Sequence, residues 1–201
     1  MIGMKIIGLA GGIACGKSTV SYHLRELGAH IIDADAIAHA LSAPGGAIYE
    51  LYIDHFGNDI LAPDGELDRR AIGTIVFQNP AERAWMDAMV HPMIRRKIID
   101  AIDAARACGT KAVILDIPLL FEVGWQDLAD ENWVVMVKEK IQLARLMKRN
   151  GFTKQEALER IRAQIPLEEK CRLADVVIDN SKHIEDTYAQ VDALWRERVD
   201  G

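Results

Sequence analysis

The chain lacks most of what marks a secreted, membrane-spanning or nucleic-acid-binding protein. Only three of its 201 residues are cysteine, and Cys15, Cys108 and Cys171 have neither metal-ligand nor redox spacing. An odd, scattered set does not suit a secreted disulfide scaffold. No apolar run reaches the length needed to cross a bilayer. The apolar stretch near the start is short and runs straight into a loop that cleavage would destroy, so it does not read as a signal peptide. A soluble protein in a reducing cytoplasm is the expectation. Basic residues are also in the minority, 24 against 30 acidic for a formal charge of −6. That balance argues against a broad nucleic-acid-binding surface and leaves any anionic substrate to local basic groups. Internal repeats, low-complexity tracts and flexible linkers are missing too. With 50% apolar residues, the chain suits one domain of ordinary size, with room for an elaboration.

What is present is organised around Gly11-Gly12-Ile13-Ala14-Cys15-Gly16-Lys17-Ser18, followed by Thr19. Two glycines ahead of Lys-Ser at this spacing fit a phosphate-binding loop. Glycine lets the backbone turn tightly and bring N–H groups close to phosphate oxygens, Lys17 adds charge toward the β and γ groups, and Ser18 offers a hydroxyl to Mg²⁺. The context agrees. Lys5 to Ala10 reads as a buried strand, while Val20, Leu24 and Leu27 follow helical spacing until Gly28 stops the helix. The dipole of that helix also favours an anion at its start. ATP with Mg²⁺ is the expected ligand.

Next, His30-Ile31-Ile32 forms a brief strand ending in Asp33-Ala34-Asp35. Carboxylates at a strand's C-terminal end sit where open parallel sheets bind ligands. Asp33, nearer the strand end, suits accepting a proton from an attacking hydroxyl. Asp35 fits either a site role or a cap on the helix carrying Ile37 and Leu41.

From Pro44 to about Gly109 the pattern turns helical. Ile48, Leu51 and Tyr52 predict one helix, and Ala62-Pro63-Asp64-Gly65 a turn; Ile72, Ile75 and Val76 predict a second helix before Asn79-Pro80. A longer helix carries Trp85, Met89, Ile94, Ile98 and Ile102, with a break or kink expected near His91 because Pro92 follows. This block is too long for a plain crossover and reads as an insertion that grips the second substrate, or as extra structural helices. Arg69 suits a bidentate phosphate clamp or a solvated helix start. His91 suits a substrate contact or a turn.

Ala112-Val113-Ile114-Leu115 then reads as a buried strand delivering Asp116 toward Mg²⁺, in the manner of a Walker B element. Ile117 to Glu122, with Pro118 and Leu119, suits a loop shaping the pocket. Trp133 to Val137 is a fourth strand. A helix with Gln142, Arg145, Lys148 and Arg149 follows, ended by Asn150-Gly151, and Thr153 to Glu156 has the form of a capping box starting another with Arg160 and Arg162. Two basic helices joined by a turn resemble a phosphotransferase lid. Val176 to Asn180 is a fifth strand, and Ile184, Tyr188, Val191 and Trp195 stripe a last helix. Alternating strands and helices imply a three-layer α/β fold around a five-stranded parallel sheet.

Taken together, these segments resemble the dephospho-coenzyme A kinase family. The resemblance rests on Gly8 to Val20, Ile32 to Ala38, Asp64-Gly65 with Leu67 to Arg70, His91-Pro92, Pro118 to Glu122, Gln142 with Arg145 and Arg149, Gln164, and Ala174 to Asn180. It implies a P-loop kinase fold with core residues 1–34 and 110–201, a lid at about 139–166, and a coenzyme-binding insertion at 35–109. It also implies ATP-dependent phosphorylation of the ribose 3′-hydroxyl of dephospho-coenzyme A. Carried over, Asp33 is the base or the orienting group for the 3′-hydroxyl. Lys17 and loop residues Gly11 to Thr19 hold the triphosphate, Ser18 faces the metal, and Arg145 and Arg149 close over the phosphoryl group; Asp116 is the metal-side candidate on chemical grounds. Asp33, Asp35, Arg69, His91, Pro118 and Leu119 are the expected substrate contacts.

The chain departs from the family pattern at His39, where Arg is common, at Ser181-Lys182 in place of a Gly-containing turn, and at Cys15. Cys15 reads as a size match for another small residue or, beside a helix N-terminus, as an unusually acidic thiol whose alkylation blocks ATP binding. The rival readings are another kinase of the same fold and a nucleotide-dependent switch. No Asn-Lys-x-Asp follows a late strand, as a guanine-reading switch would require.

Overall fold

The computed structural model describes residues 3–201. They form two compact units, one comprising the residues up to Asp33 together with Ile102–Gly201, the other Ala34–Ala101.

In the first unit, β1 (Lys5–Gly11) leads into the glycine-rich loop and α1 (Lys17–Glu26) leaves it; β2 (His30–Asp33) follows. The second unit holds α2 (Ala34–Ser42), α3 (Ala47–Phe56), α4 (Arg69–Gln78) and most of α5 (Pro80–Ala107). The chain then returns through β3 (Ala112–Asp116), β4 (Glu131–Met136), α6 (Glu139–Asn150), α7 (Lys154–Arg162), α8 (Leu167–Leu173), β5 (Val176–Asp179) and α9 (Ile184–Trp195).

The five strands lie in the order β2-β3-β1-β4-β5, all parallel. Central strands in such a sheet are covered on both faces and therefore read as continuous apolar runs. Ile7 and Leu9 of β1 and Val113 to Leu115 of β3 are accordingly fully buried. Val20 and Leu24 of α1 join Trp133, Val135, Ile178, Val191 and Trp195 in the same core. The α1–α9 layer is pinned by His23, whose ring stacks on Tyr188 at 4.0 Å and pairs with Asp192 at 2.7 Å.

The second unit has its own core of Ile48, Tyr52, Ile60 and Ile72. Asp68 caps α4, accepting from the backbone N–H groups of Arg70 and Ala71 at 2.9 and 3.0 Å. The expected break at His91 does not occur: α5 runs through Pro92. Proline removes one intrahelical hydrogen bond, but Met86, Val90, Met93 and Ile94 on either side pack on that core, and this burial holds the helix together. The capping box at Thr153 is formed in both directions. The seven-residue α8 is too short to announce itself by periodicity.

Replacing Leu9 by alanine at the centre of the sheet is expected to lower stability by roughly 2–5 kcal/mol, read as a shift of the urea midpoint; an unchanged midpoint would contradict the packing described.

Candidate active site

The loop between β1 and α1 is shaped by side chains that seize its carbonyls. Gly11 O accepts from Lys170 Nζ at 3.4 Å, Ile13 O from Gln142 Nε2 at 2.9 Å, and Cys15 O from Asn180 Nδ2 at 2.8 Å. Among the described residues every peptide bond is trans. In a planar trans peptide the carbonyl of one residue and the N–H of the next point in opposite directions. Holding the carbonyls of residues 11, 13 and 15 therefore turns the N–H groups of Gly12, Ala14 and Gly16 away from the clamps. Ile13 N–H is committed to Gln164 Oε1 at 2.9 Å and Cys15 N–H to Gly12 O at 3.1 Å. Ala14 at φ 60° and Gly16 at φ 85° occupy the left-handed region. Such backbone alternation makes an anion-binding nest. A side chain on Gly12 would come within 2.7 Å of Gln142 Nε2, and one on Gly16 would overlap the Asn180 amide. These glycines admit the clamps as well as the turn.

Lys17, the first residue of α1, is ion-paired with the buried Asp116 at the end of β3. The β2–β3 register sets Asp33 directly beside Asp116, so two strand ends present carboxylates at one edge of the sheet. Asp33 and Ser18 are exposed. Among the described residues, no three His, Cys, Asp or Glu side chains gather as a metal cluster. Mg²⁺ commonly takes one or two protein ligands together with substrate phosphates, and a hydroxyl and a carboxylate at Ser18 and Asp116 suit that chemistry.

A cavity of about 250 Å³ beside the loop is lined by Gly16, Thr19, Arg145, Asn180, Lys182 and Ile184. Arg145 donates to Asn180 O at 3.1 Å, and Asn180 is fixed by Thr187, whose hydroxyl donates to its Oδ1 at 2.9 Å. Arg149 is not brought here. It lies exposed at the end of α6, donating to Asn150 Oδ1 at 2.8 Å. Arg160 of α7 lies 3.9 Å from the centre of the Phe152 ring. Ser181 ties its turn down, donating its N–H to Asp179 at 2.9 Å and accepting from Lys138 N–H at 3.0 Å. The Ser181 hydrogen bonds hold the Asp179 carboxyl below its ordinary range against the opposing effect of burial.

The helical unit has a cavity of its own, about 630 Å³, whose lining includes Asp35, His39, Glu66, Arg69 and, on the apolar side, Leu67 and Met86. His39 takes a defined place: Arg69 donates to its Nδ1 at 2.8 Å. His91 lies outside that lining, on α5 at 3.8 Å from Asp87. After β3, Leu119 is exposed and Pro118 half-buried, whereas Leu120 and Phe121 are buried, so only part of that segment is open to a pocket.

Cys15 overturns the expectation of an acidic thiol. It is fully buried, and burial pushes the thiol up to about 11 against the lowering effects of its backbone hydrogen bond and of Lys170 and Arg145. The loop dipole does not compensate for lost hydration. Lys170 stands outside the residues that carry the resemblance, and Gln142 and Gln164 stand among them without a role, yet each holds a loop peptide through a side-chain hydrogen bond. For Gln142 and Gln164 the signal is their place among the segments that carry the resemblance; Lys170 gives none.

A parallel sheet delivering a glycine-rich loop, a paired lysine and two strand-end carboxylates to one edge defines a P-loop phosphotransferase. The matches to known proteins narrow the class. The model of the family described as dephospho-CoA kinase matches residues 5–186. A dephospho-CoA kinase of Symbiobacterium thermophilum is 50% identical over 198 residues, covering 98% of this chain and 83% of its own. That of Carboxydothermus hydrogenoformans is 52% identical over 191 residues, covering 95% and 93%. In structure, the chain resembles TT1252 from Thermus thermophilus (TM-score 0.82, 34% identity) and a dephospho-CoA kinase from Campylobacter jejuni (TM-score 0.75, 29% identity), each alignment covering 98% of both chains. The chain belongs to the dephospho-CoA kinase family.

At pH 7.5, iodoacetamide is expected to label exposed Cys108 and to leave Cys15 untouched until the protein is denatured. Peptide mass mapping that finds both labelled at similar rates in the native protein would contradict the burial.

Proposed function

We propose that the chain carries the γ-phosphoryl group of ATP to the ribose 3′-hydroxyl of dephospho-coenzyme A, releasing ADP and coenzyme A. The observation that carries this reading is the pairing of strand ends. Asp33 stands in register with Asp116, whose carboxylate is tied to Lys17 of the loop. A proton acceptor and the phosphate grip thus share one sheet edge.

The exposed Asp33 carboxylate accepts the hydroxyl proton and orients its oxygen for attack. The ammonium of Lys17 and the start of α1 draw the β and γ phosphates into the loop. The N–H groups freed at Ala14 and Gly16 add fixed dipoles that need no reorganisation as charge shifts. Ser18 and Asp116 would hold Mg²⁺, which would supply positive charge to offset that of the phosphates. The cavity at Asn180 and Lys182 is the candidate for the nucleoside part of ATP. Arg145, already at its rim, steadies the donor, and Arg149 would join when α6 and α7 close and exclude water. In the helical unit, Asp35 and the Arg69–His39 pair are candidates for contacts with the coenzyme. Pro118, Leu119 and His91 have less support, His91 because it lies outside the cavity.

Incubation of the purified protein with Mg-ATP and dephospho-coenzyme A should yield coenzyme A by mass, with nucleoside monophosphates inert. Turnover of a monophosphate with dephospho-coenzyme A inert would favour another kinase activity, and slow hydrolysis without any acceptor a switch. Asp33→Asn should lower kcat by about two or more orders of magnitude while leaving Mg-ATP affinity within about threefold of the parent, as for a lost base. Near-normal turnover would remove Asp33 from this role. Lys17→Ala should instead weaken nucleotide binding itself, seen by calorimetry.

A further inference from the structure

Lys170 of α8 is fully buried. Lysine is almost never buried to this extent without a partner. Its Nζ lies 2.6 Å from Glu122 Oε1 and donates to Gly11 O at 3.4 Å. The same Glu122 oxygen accepts from Ile165 N–H at 3.3 Å, and the other, Oε2, is buried without a hydrogen-bond partner among the described residues.

As a source of stability this is a poor arrangement. Two charges are stripped of water, one carboxylate oxygen is left unsatisfied, and an apolar pair of similar volume would generally hold the core as well or better. What the pair does supply is position. Gly11 is the last residue of β1, and its carbonyl belongs to the first loop peptide. Holding that carbonyl fixes the direction of Gly12 N–H and the angle at which the chain leaves the sheet. Through Glu122 the same ammonium joins this peptide to the segment after β3 and to Ile165, at the root of the α6–α7 pair. Gln164, one residue earlier, holds Ile13 N–H. The base of the lid and the entry to the loop are thus fastened to one buried ion pair.

We infer that Lys170 is a positioning residue for the phosphate-binding loop: its ion pair with Glu122 and its bond to Gly11 preset the loop's first peptide and tie it to the lid root. The inference rests on the nucleotide role proposed above. It places the effect of Lys170 on the donor side, in nucleotide affinity rather than in acceptor binding.

Three variants separate positioning from mere support: Lys170→Met, the charge-free double Lys170→Met with Glu122→Leu, and the isosteric Glu122→Gln. Each is compared with the parent by melting temperature, by Mg-ADP affinity in calorimetry and by KM for both substrates. Lys170→Met should melt well below the parent, because it strands a buried carboxylate. The double variant should regain most of that loss yet bind Mg-ADP about tenfold more weakly, with KM for ATP raised in step and KM for the acceptor within about twofold of the parent. A double variant with parental Mg-ADP affinity, or with both KM values raised together, overturns the inference. Should the double variant not fold, Glu122→Gln decides alone. Measured where Glu122→Gln is fully folded, Mg-ADP binding at least about threefold weaker supports positioning, and parental affinity overturns it. A parent that binds Mg-ADP but makes no coenzyme A would refute the proposed reaction while leaving this binding comparison intact.

Discussion

The site depends on three loop carbonyls being held by side chains from elsewhere in the core unit. A short glycine-rich segment has no intrinsic reason to keep its amides aimed one way, since glycine loses more conformational freedom on folding than any other residue. Lys170, Gln142 and Asn180 remove that freedom at alternate peptides. Covalent planarity then directs the N–H groups of Gly12, Ala14 and Gly16 in the same peptides, while those of Ile13 and Cys15 are held by Gln164 and by Gly12 O. The clamps come from α6, from α8 and from the end of β5, so the loop's shape is a property of the whole sheet edge. It also explains why buried polar residues cluster behind the loop, where apolar ones would pack without specifying direction.

Parallel topology does the rest. Placing β3 between β1 and β2 brings Asp116 beside Asp33 and within reach of Lys17. Neither carboxylate needs a dedicated scaffold. Each is simply the residue at which an apolar strand ends, and in a parallel sheet all such ends face one side. The negative charge of the chain as a whole does not describe the field at the loop, where the local cations are Lys17 at the helix start and Arg145 at the neighbouring cavity.

Much of this was legible in the sequence because it is local. The loop, the apolar strands closing on Asp33 and Asp116, the stop at Gly151 and the capping box at Thr153 are written in neighbouring residues. Strand order is not, and so the adjacency of Asp33 and Asp116 emerges only when strands far apart in the chain pair. Pro92 does not end its helix, because local helix-breaking competes with tertiary burial, which won. Cys15 is a size match rather than an acidic thiol, because burial at that position outweighs the lowering effects of its backbone hydrogen bond and of Lys170 and Arg145. Lys170 carried no readable signal at all: on a short helix flanked by charged residues it looks like a solvated side chain, and its burial depends on Glu122 arriving from another segment.

Phosphorus–proton correlation NMR on the product made from Mg-ATP and dephospho-coenzyme A tests the central claim most directly. An acceptor hydroxyl held against Asp33 at the sheet edge should give one new phosphate coupled to the ribose H3′. A phosphate coupled to H2′, or added to the diphosphate bridge, would contradict the account.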